Sequence, residues 1–207
     1  MRNDVLDDLN VSRETIDRLR TYEKLVIKWS KTINLVSRGD LNKIWDRHIL
    51  DCMQIYPHLP DRPAGYLDFG SGGGFPAVVL SALLFENDPN IKIYLAESDG
   101  RKAAFLRTVF REIQIPGIVF TERVQQVDLP PVDLISARAV AALSDLFSMA
   151  ETLITKETVC FFPKGKTWKK EVAEAEKKWH FCCETIKSQT QSEAVILKLG
   201  SIERVRI

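Results

Sequence analysis

The sequence lacks the features of a membrane-spanning, secreted or disordered chain. In its 207 residues, no uninterrupted apolar run approaches the ~18 residues that a membrane-spanning helix needs. The first residues, MRNDVLDDLNVSRE, contain no apolar segment of the kind found in a signal peptide. Hydrophobic residues make up 45% and charged residues 28% of the chain, which excludes a disordered or collagen-like protein. These absences predict a globular cytoplasmic protein with no membrane partner.

Cysteine is scarce, and neither sign of charge is in excess. The four cysteines are unevenly spaced without a C-x-x-C pair, which predicts buried thiols and neither a disulfide framework nor a metal site. They are Cys52, Cys160, Cys182 and Cys183. The net charge is +1, yet residues 18–47 carry eight basic and three acidic groups. Such a patch could contact phosphate, and a solvated helix face is the alternative that charge alone favours.

The first third of the chain predicts a helical extension. Residues 12–36 place apolar side chains at spacings of three and four, with Ser12 as a candidate N-cap. A second helix is expected over residues 41–56. Three prolines within residues 57–63 then interrupt the pattern. We therefore expect a helical extension at residues 1–63 and a second domain at 64–207.

From residue 64 onward, short apolar runs alternate with helical patterns. Strands are expected at 64–69, 92–97, 117–121, 132–136 and 157–162, and helices from residue 76 and at 100–113, 140–154 and 166–179. Two further β-like runs, HFCCETIKS and EAVILKL, join at residues 189–192. This alternation predicts a doubly wound α/β domain with a mostly parallel sheet and an antiparallel C-terminal edge hairpin.

A glycine-rich loop between the first strand and its helix carries the functional signal. The chain reads Asp68-Phe69-Gly70-Ser71-Gly72-Gly73-Gly74-Phe75-Pro76. Glycines there allow a sharp turn and a close approach of ligand to backbone. Glu97 ends the next strand, at the edge of the sheet where doubly wound folds bind ligands.

The pattern of the loop discriminates between nucleotide-like ligands. A dinucleotide loop, G-x-G-x-x-G, would need glycine where Phe75 stands, and the G-K-[ST] of a P-loop is absent. The pattern D-x-G-x-G-x-G with an acid one strand later resembles motif I of class I S-adenosylmethionine-dependent methyltransferases. That resemblance implies that Glu97 accepts hydrogen bonds from the cofactor's ribose hydroxyls and that Asp68 lies near its amino-acid end.

Four further stretches resemble the RsmG family, also called GidB, bacterial enzymes that methylate N7 of one guanine in 16S ribosomal RNA. Together they span residues 22–198 in the expected order. The first is Asn34-Leu35-Val36-Ser37 followed by Arg47-His48-Ile49-Leu50-Asp51, and the second begins Gly100-Arg101-Lys102. The third is Arg123-Val124-Gln125 with Ser136-Ala137-Arg138-Ala139, and the fourth is Pro163-Lys164-Gly165. The combination is more specific than any one stretch.

The resemblance implies a set of site residues. Cofactor contacts would be Asp68, Gly70, Gly72, Gly74, Phe75, Glu97, Val124, Gln125 and Arg138, with Val124 and Gln125 beside the adenine. Candidate RNA contacts are Arg47, His48, Arg101, Lys102, Arg123 and Lys164, of which Lys164, like Arg138, could position the substrate. The chain departs from the family at Gln125 and Gln126, often Glu, and at Cys52, often Ser. Ser192-Glu193-Ala194 stands in place of a common Arg-His pair.

The implied reaction needs no general base, because guanine N7 already carries a free lone pair. The chain has only three histidines and no recognisable catalytic triad, so no catalytic residue and no metal are assigned. The enzyme would contribute alignment and exclusion of water.

Two alternatives remain: a methyltransferase acting on a small molecule or protein, and a non-catalytic RNA-binding module of this fold. The expected partner is 16S RNA or the small ribosomal subunit, and the expected state is a monomer.

Overall fold

Seven strands form one sheet in the computed structural model, which describes residues 9–205. The parallel strands are β1 (Gly65–Phe69), β2 (Lys92–Ala96), β3 (Gly117–Phe120), β4 (Leu134–Ser136) and β5 (Val159–Lys164), and the C-terminal pair is β6 (Trp179–Lys187) and β7 (Val195–Arg204). Their order is β3-β2-β1-β4-β5-β7-β6, with β7 antiparallel to both its neighbours. The predicted doubly wound α/β fold with a C-terminal hairpin is confirmed.

The helix expected at 100–113 is confirmed to within one residue, whereas those expected at 140–154 and 166–179 are shorter in the structure. The helices are α1 (Arg13–Trp29), α2 (Leu50–Met53), α3 (Ala77–Asn87), α4 (Gly100–Glu112), α5 (Leu143–Ala150) and α6 (Trp168–Ala175). Short 3₁₀ turns lie at Arg38–Lys43, Tyr56–His58, Val124–Gln126 and Glu151–Leu153, and a π-helical turn spans Trp45–Ile49. Between residues 9 and 205, no helix is long and apolar enough to cross a membrane.

The sheet separates two hydrophobic clusters because alternate side chains of a strand point to opposite faces. Tyr66 of β1 packs in one cluster and its neighbour Leu67 in the other. The N-terminal helix joins the first cluster through Leu19, Tyr22 and Val26, all fully buried. The extension and the sheet therefore share a core. The domain division at residue 63 stays a prediction.

Helix α1 begins as predicted and ends early. The Ser12 hydroxyl accepts a hydrogen bond from the backbone N–H of Thr15, 3.1 Å away, which is the expected N-cap. The expected end at residue 36 is wrong, because the helix stops at Trp29. The N–H groups of Thr32 and Ile33 both turn back to the Trp29 carbonyl. The chain then continues irregularly, although its apolar residues still pack on the core.

The single helix expected over residues 41–56 is also wrong. The structure has the 3₁₀ turn at Arg38–Lys43, the π-helical turn at Trp45–Ile49 and only then α2. Ser37 donates to the Asp40 carboxylate at 2.6 Å, which favours a local turn over a regular helix start. The wider π turn still buries Trp45 and Ile49. The apolar pattern thus located the buried face but not the backbone geometry.

The prediction of buried cysteines holds for half of them. All four are free thiols, and Cys52 and Cys160 are buried whereas Cys182 and Cys183 are exposed. The two exposed thiols lie on β6, the edge strand of the sheet, which has only one neighbouring strand and is largely solvated. Cys182 and Cys183 therefore lie outside the hydrophobic core.

Candidate functional site

The glycine-rich loop lies at the carboxyl ends of β1, β2 and β4. Gly70, Gly72 and Gly74 have φ angles of +62°, +53° and +89°, in the left-handed region that favours glycine. The Gly70 N–H donates to the carbonyl of Ala96 at 2.8 Å, which ties the loop to the end of β2. Phe75 is buried, and α3 begins two residues later. The predicted strand–loop–helix arrangement is present.

Glu97 holds the loop from the neighbouring strand. Its side chain is buried, and Oε2 accepts a hydrogen bond from the Gly72 N–H at 2.7 Å. Its other oxygen, Oε1, accepts from the Asp99 N–H at 2.8 Å. A buried carboxylate needs such donors to offset the loss of water. These contacts place the Glu97 carboxylate beside Gly72, a glycine of the predicted cofactor loop.

The glycines of the loop meet different surroundings. A Cβ at Gly73 would lie 2.8 Å from the Leu35 carbonyl oxygen, whereas one at Gly72 would find no described atom closer than the Gly70 carbonyl, at 3.8 Å. Tyr22 donates from its hydroxyl to the Gly73 carbonyl at 2.6 Å. The N-terminal extension thus packs against one side of the loop, and the backbone at Gly72 faces open space.

Asp68 is a buried carboxyl at the end of β1. Ser136 donates a hydrogen bond to Oδ2, while Oδ1 is buried without a hydrogen-bond partner among residues 9–205. Burial raises the pKa of Asp68 to about 7, against the lowering effect of the Ser136 hydrogen bond. A group with such a pKa at a strand end is a candidate site residue.

Arg138 follows β4 and is surrounded by residues of the extension. Its guanidinium carbon lies 5.0 Å from the centre of the Phe75 ring, and Nη2 is 3.4 Å from Nδ1 of His48. Nη1 is 3.8 Å from the Asp51 carboxylate. The His48 ring also packs on Phe75, with ring centres 5.0 Å apart. Burial and the Arg138 charge lower the pKa of His48, which favours a neutral imidazole.

The residues at this edge fit S-adenosylmethionine. The unpaired Asp68 Oδ1 suits a cationic amino group, and the space at Gly72 admits a ligand against the backbone. Glu97 supplies the carboxylate that a ribose diol needs. In the described part of the chain, no group of three or more His, Cys, Asp or Glu side chains is arranged to hold a metal ion.

The expected adenine-side pair lies in the 3₁₀ turn after β3. Val124 is buried in the second hydrophobic cluster, and Gln125 is exposed. The backbone N–H of Glu97 donates to the Phe120 carbonyl at 3.0 Å, so β3 ends alongside Glu97. The roles of Val124 and Gln125 stay predictions.

The candidate RNA contacts divide into exposed and enclosed cations. Arg101 is 75% exposed and Arg47 is 54% exposed, and Arg123 is exposed as well. The cations that open α4 have a local explanation, because Asp99 caps the helix and accepts from the N–H groups of Arg101 and Lys102. Exposure alone leaves their RNA role a prediction.

Lys164 is enclosed instead. Its side chain is 9% exposed, and Nζ donates to the Ala141 carbonyl and to the Glu171 carboxylate, both at 2.8 Å. It therefore fixes the segment after β4 to α6. A phosphate contact by Lys164 stays a prediction, and it would have to compete with these two partners.

Sequence reasoning missed several residues that shape the site. Tyr22 belongs to the apolar stripe of residues 12–36 by its spacing, yet its hydroxyl bonds the loop. Leu35 contributes its carbonyl oxygen, which no side-chain pattern reveals. Tyr66 and Ser136 form a hydrogen-bonded pair beside Asp68, 2.7 Å apart. Polar side chains inside otherwise apolar strands were the available signal for this pair.

Comparison with known proteins identifies close relatives. The GidB family model, described as rRNA small subunit methyltransferase G, matches residues 15–197. The protein named ribosomal RNA small subunit methyltransferase G from Ruegeria sp. (strain TM1040) is 43% identical over 198 residues, 96% of each chain. A protein of the same name from Cereibacter sphaeroides (strain ATCC 17029 / ATH 2.4.9) is 42% identical over 99% of this chain and 100% of its own.

Solved structures of lower sequence similarity share the fold. An O-methyltransferase from Bacillus cereus in complex with SAH has a TM-score of 0.59 at 13% identity, covering 87% of this chain and 90% of that one. A SAM-dependent methyltransferase from Aquifex aeolicus has a TM-score of 0.60 at 12% identity, covering 78% and 95%. At this identity the likeness concerns the sheet and its helices.

We expect Gly73→Ala to destabilise the protein by about 1–3 kcal/mol, because its Cβ must displace the Leu35 backbone. Gly165→Ala is the matched control, since a Cβ there meets nothing within 4 Å among the described residues. Urea denaturation of both variants measures the difference. Equal stability of the two variants would contradict the packing of the extension on the loop.

Proposed function

Since this chain belongs to the rRNA small subunit methyltransferase G family, we propose that it transfers a methyl group from S-adenosylmethionine to N7 of one guanine in 16S ribosomal RNA. The observation that supports this most is the buried Glu97 beside an open backbone at Gly72. The family supports an S-adenosylmethionine-dependent enzyme that acts on ribosomal RNA, and the fold is one that methyltransferases share. Our more specific proposal is that N7 is the methylated atom and that the methyl group moves by direct displacement.

The cofactor would be held by residues from three strand ends. Glu97 would accept hydrogen bonds from the ribose hydroxyls, and Asp68 would face the amino-acid end. The glycines of the loop, Gly70, Gly72 and Gly74, would allow close approach of the backbone. Val124 and Gln125 would lie beside the adenine. Arg138 would contact the cofactor's carboxylate or an RNA phosphate.

The bound cofactor supplies a methyl group on a positively charged sulfur. Guanine N7 would accept the methyl group with its own free lone pair, so no residue of the protein would have to remove a proton first. The protein's contribution is to hold the reacting atoms in line and keep water out. Phe75, buried between Tyr22, His48 and Arg138, is suited to that exclusion.

The RNA would approach from the N-terminal extension. Its exposed cations include Lys24, Lys28, Lys31, Arg38, Lys43 and Arg47. Arg47 pairs with Asp40 at 2.8 Å, and His48 beside it reaches Arg138. These contacts place Arg47 and His48 between the basic segment and Arg138. We propose that the extension binds phosphate and positions the target base, with Arg101, Lys102 and Arg123 as further contacts.

We further propose that the protein works in the cytoplasm as a monomer on 16S RNA or the small subunit. The family relationship supports the ribosomal substrate. Glu97 and Tyr22 both bond the glycine loop from within one chain, which is the support for a monomer.

The proposed reaction is tested with labelled S-adenosylmethionine and small subunits from a strain that lacks the modification. We expect one labelled guanine, mapped by cleavage specific for N7-methylguanine. Glu97→Ala and Gly72→Asp should abolish labelling, because the first removes the ribose acceptor and the second fills the cofactor space. Glu112→Ala, which removes an exposed carboxylate at the end of α4, is the control. Label on another atom or on protein would contradict the proposal.

The role of the extension is tested by charge reversal. Lys31→Glu with Arg38→Glu should raise KM for the subunit roughly tenfold and reduce its salt dependence, because phosphate contacts are lost. Cofactor affinity should not change. The control pair is Lys92→Glu with Lys156→Glu, at the amino ends of the strands: Lys92 is the first residue of β2, and Lys156 lies just before β5. Equal effects of both pairs would indicate a general charge effect and contradict a binding role for the extension.

A further inference from the structure

Three buried polar groups form a chain beneath the glycine loop. Tyr66 of β1 and Ser136 of β4 are fully buried, and Asp68 is 1% exposed. The Tyr66 hydroxyl lies 2.7 Å from Ser136 Oγ, and Ser136 in turn bonds Asp68 Oδ2. The strands β1 and β4 are paired in register at these positions, with Asp68 opposite Ser136. The chain is therefore fixed by the sheet itself.

The hydrogen bonds of this chain have a defined direction when Asp68 is ionised. An ionised carboxylate can only accept, so Ser136 must donate its single proton to Asp68. The Ser136 oxygen then accepts the proton of Tyr66. Burial raises the pKa of Tyr66 well above its usual range, so that its hydroxyl remains a donor.

One carboxylate oxygen is left over. Oδ1 of Asp68 is buried and has no hydrogen-bond partner within residues 9–205. A buried ionised oxygen without a partner is costly, and a ligand that brings a cationic donor removes that cost. The α-ammonium group of the cofactor is such a donor.

We propose that Ser136, supported by Tyr66, is a positioning residue that keeps Asp68 ionised and oriented for the cofactor's ammonium group, so that cofactor affinity falls when Asp68 takes up a proton. This inference rests on the cofactor site proposed above. It gives the serine of the Ser136-Ala137-Arg138-Ala139 stretch a role that differs from that of Arg138. Ser136 acts through Asp68 and does not touch the reacting atoms.

The other ionisable groups around Asp68 set the expected pH range. Burial raises the pKa of Asp68 to about 7, the Arg138 charge lowers it and the Glu97 charge raises it. Tyr22 and Cys52, which face Asp68 from α1 and α2, have pKa values raised by burial and stay neutral. His48, which packs on Phe75 of the loop, has a pKa lowered by burial and by the Arg138 charge, so it gains a proton at lower pH than Asp68. Affinity should therefore fall as pH drops through about 7, where Asp68 changes charge.

The test is the affinity for S-adenosylhomocysteine, measured by calorimetry between about pH 5.5 and 8.5, the range that brackets the expected midpoint. The wild-type protein should bind more weakly below pH 7. Ser136→Ala should move the midpoint upward by about one pH unit, because a hydrogen bond to the ionised form is lost. Tyr66→Phe should move it in the same direction by less, since Tyr66 acts through Ser136.

Two controls separate this role from a structural one. Methylthioadenosine lacks the amino-acid group, so its binding should not follow the Asp68 titration. Ser81→Ala removes another buried hydroxyl, one that bonds the Ala77 carbonyl in α3, and should leave the midpoint unchanged. If Ser136→Ala does not fold, Tyr66→Phe carries the test.

The inference is overturned if both variants weaken binding by the same factor at every pH, or if methylthioadenosine follows the same pH curve. These outcomes leave the proposed methyl transfer standing, since labelling of the subunit is measured separately. Absence of any S-adenosylhomocysteine binding would instead overturn the cofactor site on which both proposals depend.

Discussion

The hydrogen bond from the Gly72 N–H to the Glu97 carboxylate is the contact on which the rest of the site depends. It joins the loop after β1 to the end of β2, and it explains how a carboxylate can be buried next to a chain of glycines. The parallel register of β1 and β2 brings the two ends together, with Phe69 opposite Ala96. Without the sheet, a loop with three glycines at positive φ would have no fixed shape.

The helical extension is part of the site as well as a cover for the sheet. Tyr22 and Leu35 contact the loop at Gly73, and His48 and Asp51 surround Arg138. Asp51 also accepts from Ser188, near the turn between β6 and β7. The segment that we propose to bind RNA is therefore in direct contact with the residues that we propose to hold the cofactor.

The sequence predicted the architecture well because its signals are local. The alternation of strands and helices, the Ser12 cap and the loop between Phe69 and Pro76 all follow from short-range rules, and the structure has them. The helix over 41–56 was wrong because an apolar period does not distinguish a π turn from an α-helix. The environment of Lys164 was also not predictable, since Glu171 meets it only after α6 packs on the sheet.

The contacts that the sequence did not predict join residues that are far apart along the chain. The partners of Asp68 and Arg138 are about 70 and 90 residues away in sequence, and pairing of this kind is set by tertiary packing. The exposure of Cys182 and Cys183 depends on which strand occupies the sheet edge. The sequence of β6 alone does not show that this strand lies at the edge of the sheet. Family resemblance supplied the site residues that periodicity could not.

The most direct test of this account is a crystal structure of the protein with S-adenosylhomocysteine. We expect the ribose hydroxyls within hydrogen-bond distance, about 2.6–3.0 Å, of the Glu97 carboxylate. The amino group should lie against Asp68, and the ligand should pass over the backbone at Gly72. A ligand bound elsewhere, or a ribose that makes no contact with Glu97, would contradict the central claim that this carboxylate and loop form the cofactor site.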